Sequence, residues 1–206
     1  MSEAPIWTSL EIHSATPDRW ADLEALFGAK GACAGCWCMW WRRSRAEFNR
    51  QKGEGNRVAL KALIDGGTVP GLIAYADGHP AGWVALAPRE EYPPLARSRV
   101  LQPVDDRPVW SVVCFFVRRD WQGRGLSVRL LEAAVAHARS GGARVVEGYP
   151  YEPAGRLPGA FVWTGLVGTF RQAGFTEVAR RSAGRPIMRR EIARGRRPAG
   201  EAKRSG

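Results

Sequence analysis

The chain has 206 residues, which suits one domain with a sizeable core and is too short for two comfortable ones. Its 45% hydrophobic and 25% charged residues are those of an ordinary globular domain, and it has no uncharged apolar run of the roughly 18 residues a membrane span needs. With 31 basic against 20 acidic residues the formal charge is +11, which suits a polyanionic cofactor or nucleic acid.

The first residues, MSEAPIWTSLEI, show neither a basic start nor an apolar signal core, so a cytoplasmic protein is expected. Residues 6–13 alternate weakly and predict a first strand. Thr16-Pro17-Asp18 is a helix-start signal, and Trp20, Leu23 and Phe27 then share one face of a helix over 20–27. Residues 28–35 predict a loop. Residues 44–51 and 56–64 predict two short helices, separated by Gly53-Glu54-Gly55, with Gly66-Gly67 ending the second. Residues 72–76 and 80–87 flank Asp77-Gly78, a strong hairpin signal.

Residues 92–106 predict an irregular crossing segment. Residues 109–117 predict a strand buried on both faces, and 123–140 a helix closed by Gly141-Gly142. Residues 143–148 give the next strand. This strand–helix–strand unit implies parallel neighbours and a right-handed crossover. Residues 165–173 predict a short helix ending at Gly174, and 175–182 with 186–191 a hairpin around Gly184. This alternation of strands and helices is that of an α/β layered domain. From Ile192 onward five basic residues stand against one acidic, a net +4 that leaves +7 on the rest. Residues 192–206 therefore read as a basic disordered tail. The basic residues elsewhere are scattered. There is no helix-turn-helix, zinc-finger or aromatic RNA-binding signature, so specific nucleic-acid binding is not expected.

The predicted strand over 109–117 runs into a turn, Gln122-Gly123-Arg124-Gly125-Leu126-Ser127, that opens the helix. The first helical N–H groups have no intrahelical partner, and the helix dipole adds positive charge at the same spot. Gly123 and Gly125 let a phosphate approach the backbone, while Arg118, Arg119 and Arg124 surround the turn. It is neither a Walker loop nor a GxGxxG dinucleotide fingerprint.

The spacing Gln122-x-x-Gly125-x-Ser127 resembles the acyl-coenzyme A turn, Gln/Arg-x-x-Gly-x-Gly/Ala, of the GNAT N-acetyltransferase superfamily. Ser127 departs from that pattern but is small, with a hydroxyl to offer a phosphate oxygen. The likeness spans roughly residues 70–190, helped by a later strand–helix–Gly-Phe pattern at 143–175. It implies an α/β, GNAT-type mixed sheet with a splayed pair of parallel central strands and helices on both faces. Residues 1–191 would form that domain. It also implies acetyl-CoA as co-substrate. The backbone of Phe115, Phe116 and Val117 would pair with the pantetheine, and the N–H groups of Gln122, Gly123, Arg124, Gly125, Leu126 and Ser127 would hold the pyrophosphate.

In many members a Tyr four residues before the Gly-Phe of the last helix is the acid. Here Phe170 stands there, and Trp163 stands where an Asn is often found seven residues earlier. Glu147, as base, and Tyr149, as acid, are the replacement candidates, with Tyr151 nearby. A strand-end carboxylate paired with an Arg is the plainer reading of Glu147. Cys114, mid-strand, reads as a small buried hydrophobe.

Cys33, Cys36 and Cys38 form Cys-x-x-Cys-x-Cys, but no fourth ligand lies close in sequence, so no metal is expected. Trp37, Trp40 and Trp41 in the same loop read either as a hydrophobic plug or as an acceptor wall, suited to an apolar or cationic acceptor. Asp105-Asp106 reads as a solvated pair or an ammonium attractor, and His137 as exposed. The partners implied are a small-molecule or peptide amine acceptor, with no membrane and a homodimer left open. The rival functions are transfer of another acyl group, transfer to oxygen, an acyl-CoA-binding sensor without catalysis, and a nucleic-acid-associated basic protein.

Overall fold

The computed structural model describes residues 7–153 and 163–193. Seven strands form one sheet: β1 (Leu10–Ser14), β2 (Gly71–Ala76), β3 (His79–Pro88), β4 (Trp110–Val117), β5 (Val145–Gly148), β6 (Thr176–Arg180) and β7 (Pro186–Glu191). They stand in the order β1-β2-β3-β4-β5-β7-β6, with β4 and β5 parallel and every other neighbouring pair antiparallel. The helices are α1 (Trp20–Phe27), α2 (Arg45–Arg50), α3 (Glu54–Asp65), α4 (Pro93–Ala96), α5 (Leu126–Ser140) and α6 (Val167–Gln172). The mixed sheet and its parallel central pair are those expected from the sequence. No helix among the described residues is long and apolar enough to cross a membrane.

The alternation of each strand divides the apolar residues between two cores. Trp83, Ala85, Ile73 and Ile187 face one side, where Leu23 and Phe27 of α1, Leu60 and Ile64 of α3 and Leu95 of α4 cover them. Val84, Leu86, Val112, Val146 and Met188 face the other, under Leu126, Leu130 and Ala134 of α5 and Phe170 of α6. Gly82 lets α5 approach: a Cβ there would stand 3.1 Å from the Leu126 and Leu130 side chains. The β2–β3 turn uses Asp77 (φ 51) and Gly78 (φ 78), the left-handed pair a tight hairpin demands. The Asp77 carboxylate also accepts the Thr8 and Ser9 N–H groups, fixing the entry to β1.

Several boundaries differ from expectation. The strand predicted over 6–13 is β1, which begins at Leu10, and residue 6 lies outside the described residues. Gly53 (φ 84) is the break before α3, while Gly55 is accepted inside its first turn. The helix expected from Gly123 starts at Leu126, because Gly123 and Gly125 take φ of 75 and 82. His137 is half-buried, its ring edge-on to Trp110 with centroids 5.8 Å apart, rather than exposed. Most of the predicted tail, 194–206, lies outside the described residues.

Candidate active site

The parallel pairing of β4 and β5 is short. Trp110 faces Val146, Ser111 faces Glu147 and Val112 faces Gly148, where β5 ends. β4 runs on to Val117, so its edge from Val113 onward has lost its neighbour. The register with β3 shifts at the same level: Ala85 pairs with Cys114 but Leu86 with Val112. Val113 is therefore the extra residue of a bulge, and Val113 and Cys114 pack consecutively into the same core. A gap opens beside a bent strand whose backbone groups seek partners.

Some of those groups are taken by the chain itself. The Phe115 N–H donates to the Trp163 carbonyl at 2.6 Å, and the Gln122 side-chain amide donates to the Val117 carbonyl at 3.0 Å. By the two-residue period the Val117 N–H points to the same open side as that of Phe115. The Phe115 ring meets Phe170, and the Phe116 ring meets Phe27 on the opposite face.

The turn after β4 carries the α5 N-terminus. The Val128 N–H is the first to bond into the helix, to the Gly125 carbonyl at 3.0 Å. The N–H groups of Gly123, Arg124, Gly125, Leu126 and Ser127 have no acceptor among the described residues. A Cβ at Gly123 or Gly125 would meet nothing within 4 Å, so both glycines serve the left-handed backbone and leave open space above it. Arg124 stacks over Trp121 at 5.0 Å, whereas Arg118 pairs with Asp120 at 2.7 Å. The site as built is a cluster of free N–H donors with a guanidinium at its rim, an anion cradle.

Glu147, in register with Ser111 near the start of β4, and Tyr149, just past the end of β5, are both fully buried. Glu147 accepts from Arg89 at 2.9 Å, from Arg189 at 2.8 Å and from the Tyr149 hydroxyl at 2.7 Å. The Tyr149 hydroxyl also meets Ser111 at 2.8 Å and the Arg89 guanidinium. Burial, then the neighbouring Glu147 charge, pushes the Tyr149 phenol well above its usual range. Arg189 continues to Asp105 at 2.6 Å, so Asp105 is bound to an arginine rather than left as a solvated pair. That hydrogen bond from Arg189 holds the Asp105 carboxyl below its ordinary value. Two arginines and two carboxylates thus balance in charge and tie the end of β3 and the crossing segment to β5 and β7.

The tryptophans of the 36–42 segment divide. Trp37 belongs to the core, stacked on Trp20 at 5.9 Å and edge-on to Phe27 at 5.5 Å, which corrects its place in an acceptor wall. Trp40 and Trp41 are half-buried and converge on Trp163, at 5.9 and 6.1 Å, and Arg45 lies 3.8 Å over the Trp40 ring. Trp163 therefore touches the open β4 edge through its backbone and the aromatic wall through its ring.

Sequence reasoning missed Tyr92, assigned only to an irregular crossing. Its side chain is buried, the Arg42 guanidinium lies 5.0 Å from its ring, and its hydroxyl has no partner among the described residues. Burial pushes the phenol well up, and the nearby Cys38 and Cys114 contribute in the same direction. Cys114 was expected to be a small buried hydrophobe, and it is buried, but its Sγ lies 3.6 Å from that of Cys38. No local sequence signal reports either fact, because each depends on segments distant along the chain.

Among the described residues no group of three or more His, Cys, Asp or Glu is arranged to hold a metal ion. A cleft of about 330 Å³ lies elsewhere, lined by Glu24, Lys30, Trp37, Glu54 and Arg57 among others, with no residue from β4, β5 or the turn. Its walls carry a Glu24–Arg57–Glu54 ion network and none of the free N–H donors, so the open β4 edge is the better site.

A family model described as acetyltransferase (GNAT) family matches residues 31–152. Among solved structures, the fold is similar to PaiA N-acetyltransferase from Thermoplasma acidophilum in complex with coenzyme A, with TM-score 0.52 and 14% identity over 90% of this chain and 100% of that one. It is similar also to GNAT-family acetyltransferases from Streptococcus agalactiae (TM-score 0.55, 14% identity, covering 93% and 100%) and Listeria monocytogenes (0.54, 11%, 89% and 95%). No curated protein matches the chain in sequence.

Proposed function

The chain belongs to the GNAT acetyltransferase family, and from that premise we propose that it transfers an acetyl group from acetyl-CoA to the amine of a small molecule or peptide. The observation that carries this reading is the set of free N–H groups on residues 123–127, placed at the end of the strand whose outer edge is open. A pyrophosphate fits the cradle, and a pantetheine arm can add along β4 as a short strand beside Phe115, Phe116 and Val117. The thioester then lies near the bulge at Val113, with Trp40, Trp41 and Trp163 as the acceptor wall.

Orientation of the two substrates supplies most of the rate in such a reaction. The acceptor amine must be neutral to attack, and the departing thiolate takes a proton. Glu147 and Tyr149 support the site by position: their hydrogen bonds leave neither the carboxylate nor the hydroxyl free to trade protons. Solvent at the open edge can supply the thiolate's proton, and the buried Tyr92 keeps an unpartnered hydroxyl in the same core as Cys114. The free cysteines suit a reducing, cytoplasmic compartment.

A second reading is an acyl-CoA sensor, favoured by Phe170 in the place of the family's usual acid and by the Trp163 carbonyl lodged on the β4 edge. A coenzyme A release assay with a panel of amines separates the two. Release that depends on an amine supports the enzyme; tight acetyl-CoA binding with no release above thioester hydrolysis supports the sensor.

A further inference from the structure

We propose that Cys36, Cys38 and Cys114 form a thiol site that reacts with peroxide and closes a disulfide between Cys38 and Cys114, beside the open edge of β4. The chain has four cysteines, all of them free thiols. Three come from one short loop, and the fourth arrives from mid-β4. The Cys38 and Cys114 sulfurs are 3.6 Å apart and buried, so a bond of about 2.05 Å asks for a small approach within the core. Cys36 is half-buried, closer to solvent than either. Its thiol is held down to about 6, chiefly by hydrogen bonding with Cys38, which favours the thiolate and outweighs the effect of burial. The loop is itself under constraint: Ala32, Ala34, Trp37 and Cys38 all adopt left-handed φ, between 42 and 64, which residues with a Cβ rarely do.

The chemistry follows from that order of access. The Cys36 thiolate attacks one peroxide oxygen, giving up two electrons; the O–O bond breaks, and hydroxide leaves and takes a proton to become water. Cys36 is then a sulfenic acid. The Cys38 sulfur attacks the Cys36 sulfur, the S–O bond breaks, and the hydroxide takes the Cys38 proton as a second water. Cys114 next attacks Cys38, its proton passes to solvent and replaces the one the first hydroxide took up, and Cys36 departs as a thiolate. Cys36 leaves readily because its thiol pKa is lowered, whereas burial raises that of Cys38, so exchange runs toward Cys38–Cys114. The net change is one peroxide and two thiols to one disulfide and two waters.

The disulfide would join the loop that carries Trp40 and Trp41 to β4 next to its bulge. Its effect on acyl transfer rests on the function proposed above, whereas the thiol reaction does not, so the test counts thiols rather than turnover.

The purified full chain is treated with a small excess of hydrogen peroxide, denatured, alkylated with iodoacetamide, weighed intact and peptide-mapped. Two of the four thiols should escape alkylation, the map should show a Cys38–Cys114 link, and dithiothreitol should restore all four. Cys36→Ser should slow the loss by at least about tenfold, since the remaining thiols are buried or unactivated, and Cys33→Ser should not. Four thiols still alkylated in the wild type, or a link that uses Cys33 or a second chain, overturns the proposal without any variant. So does stoichiometric metal in the untreated protein that masks these thiols.

Discussion

The backbone N–H of Phe115 donates to the carbonyl of Trp163 at 2.6 Å, across the gap left where β5 ends and β4 continues. One hydrogen bond of the ladder that β5 no longer supplies is thus made by the segment that precedes α6. A pantetheine arm that adds to β4 must share this edge with Trp163 or displace it.

Hydrogen exchange reads that directly. On addition of acetyl-CoA, the amides of residues 123–127, which have no acceptor among the described residues, should gain protection, as should the Val117 amide on the open edge of β4. Phe115 should change little, exchanging one acceptor for another. Protection confined to α1 and α3, around the cleft that includes Glu24 and Arg57, would place the cofactor elsewhere.

Glu147 separates a structural carboxylate from a catalytic base. Glu147→Gln leaves Arg89 without a counter-charge and Arg189 with Asp105 alone, a defect that costs about 3–5 kcal/mol and lowers the melting midpoint by on the order of 10 °C. Thermal denaturation checks this. An unchanged midpoint with turnover down roughly 10²-fold would instead make Glu147 a general base.

Much of the molecule could be read along the chain because it rests on local rules. Asp77-Gly78 announced its hairpin, and Gly123 and Gly125 the turn between β4 and α5, since both need particular residues at particular φ. The parallel pair followed from the strand–helix–strand order. The site itself was only half legible. Nothing near Glu147 in sequence shows that Arg89 and Arg189 will reach it, 58 and 42 residues away. Cys114 gave no sign that it would meet Cys38, and Trp37 looked like its neighbours Trp40 and Trp41 until the core claimed it. Such features are decided by which segments pack together, and a one-dimensional pattern does not record that.

Cys36 should show its acidity in its chemistry. The rate of its alkylation by iodoacetamide should rise with a midpoint near pH 6, against about 8.5 for an ordinary thiol. The sign is fixed by the cause: the Cys38 hydrogen bond favours the thiolate, so the reactive form is present above the lowered value and lost as pH falls through it. Peptide-resolved kinetics from pH 5 to 9 would show it. A midpoint at the ordinary value, or faster reaction at Cys33, would contradict the arrangement of the loop.

The C-terminal anchor of the fold is Ile192, which is buried and donates its N–H to the Arg144 carbonyl at 2.9 Å. Ending the chain after Ala193 should leave the melting midpoint nearly unchanged. Ending it after Arg190 removes that anchor and the Arg107–Glu191 pair, and should lower the midpoint by several degrees, as losing a buried Ile costs about 2–5 kcal/mol. Equal midpoints for the two truncations would show that Ile192 anchors nothing.

The central claim is that the turn between β4 and α5 holds the pyrophosphate of acetyl-CoA, and Gly125 is where it is most exposed to test. Gly125→Asp puts a strained side chain and a negative charge into the open space above the free N–H groups. Isothermal titration of acetyl-CoA into the wild type and this variant, with equal folding checked by circular dichroism, should show affinity falling at least about tenfold, the equivalent of about 1.4 kcal/mol. Equal affinity in two equally folded proteins would contradict the account at its centre.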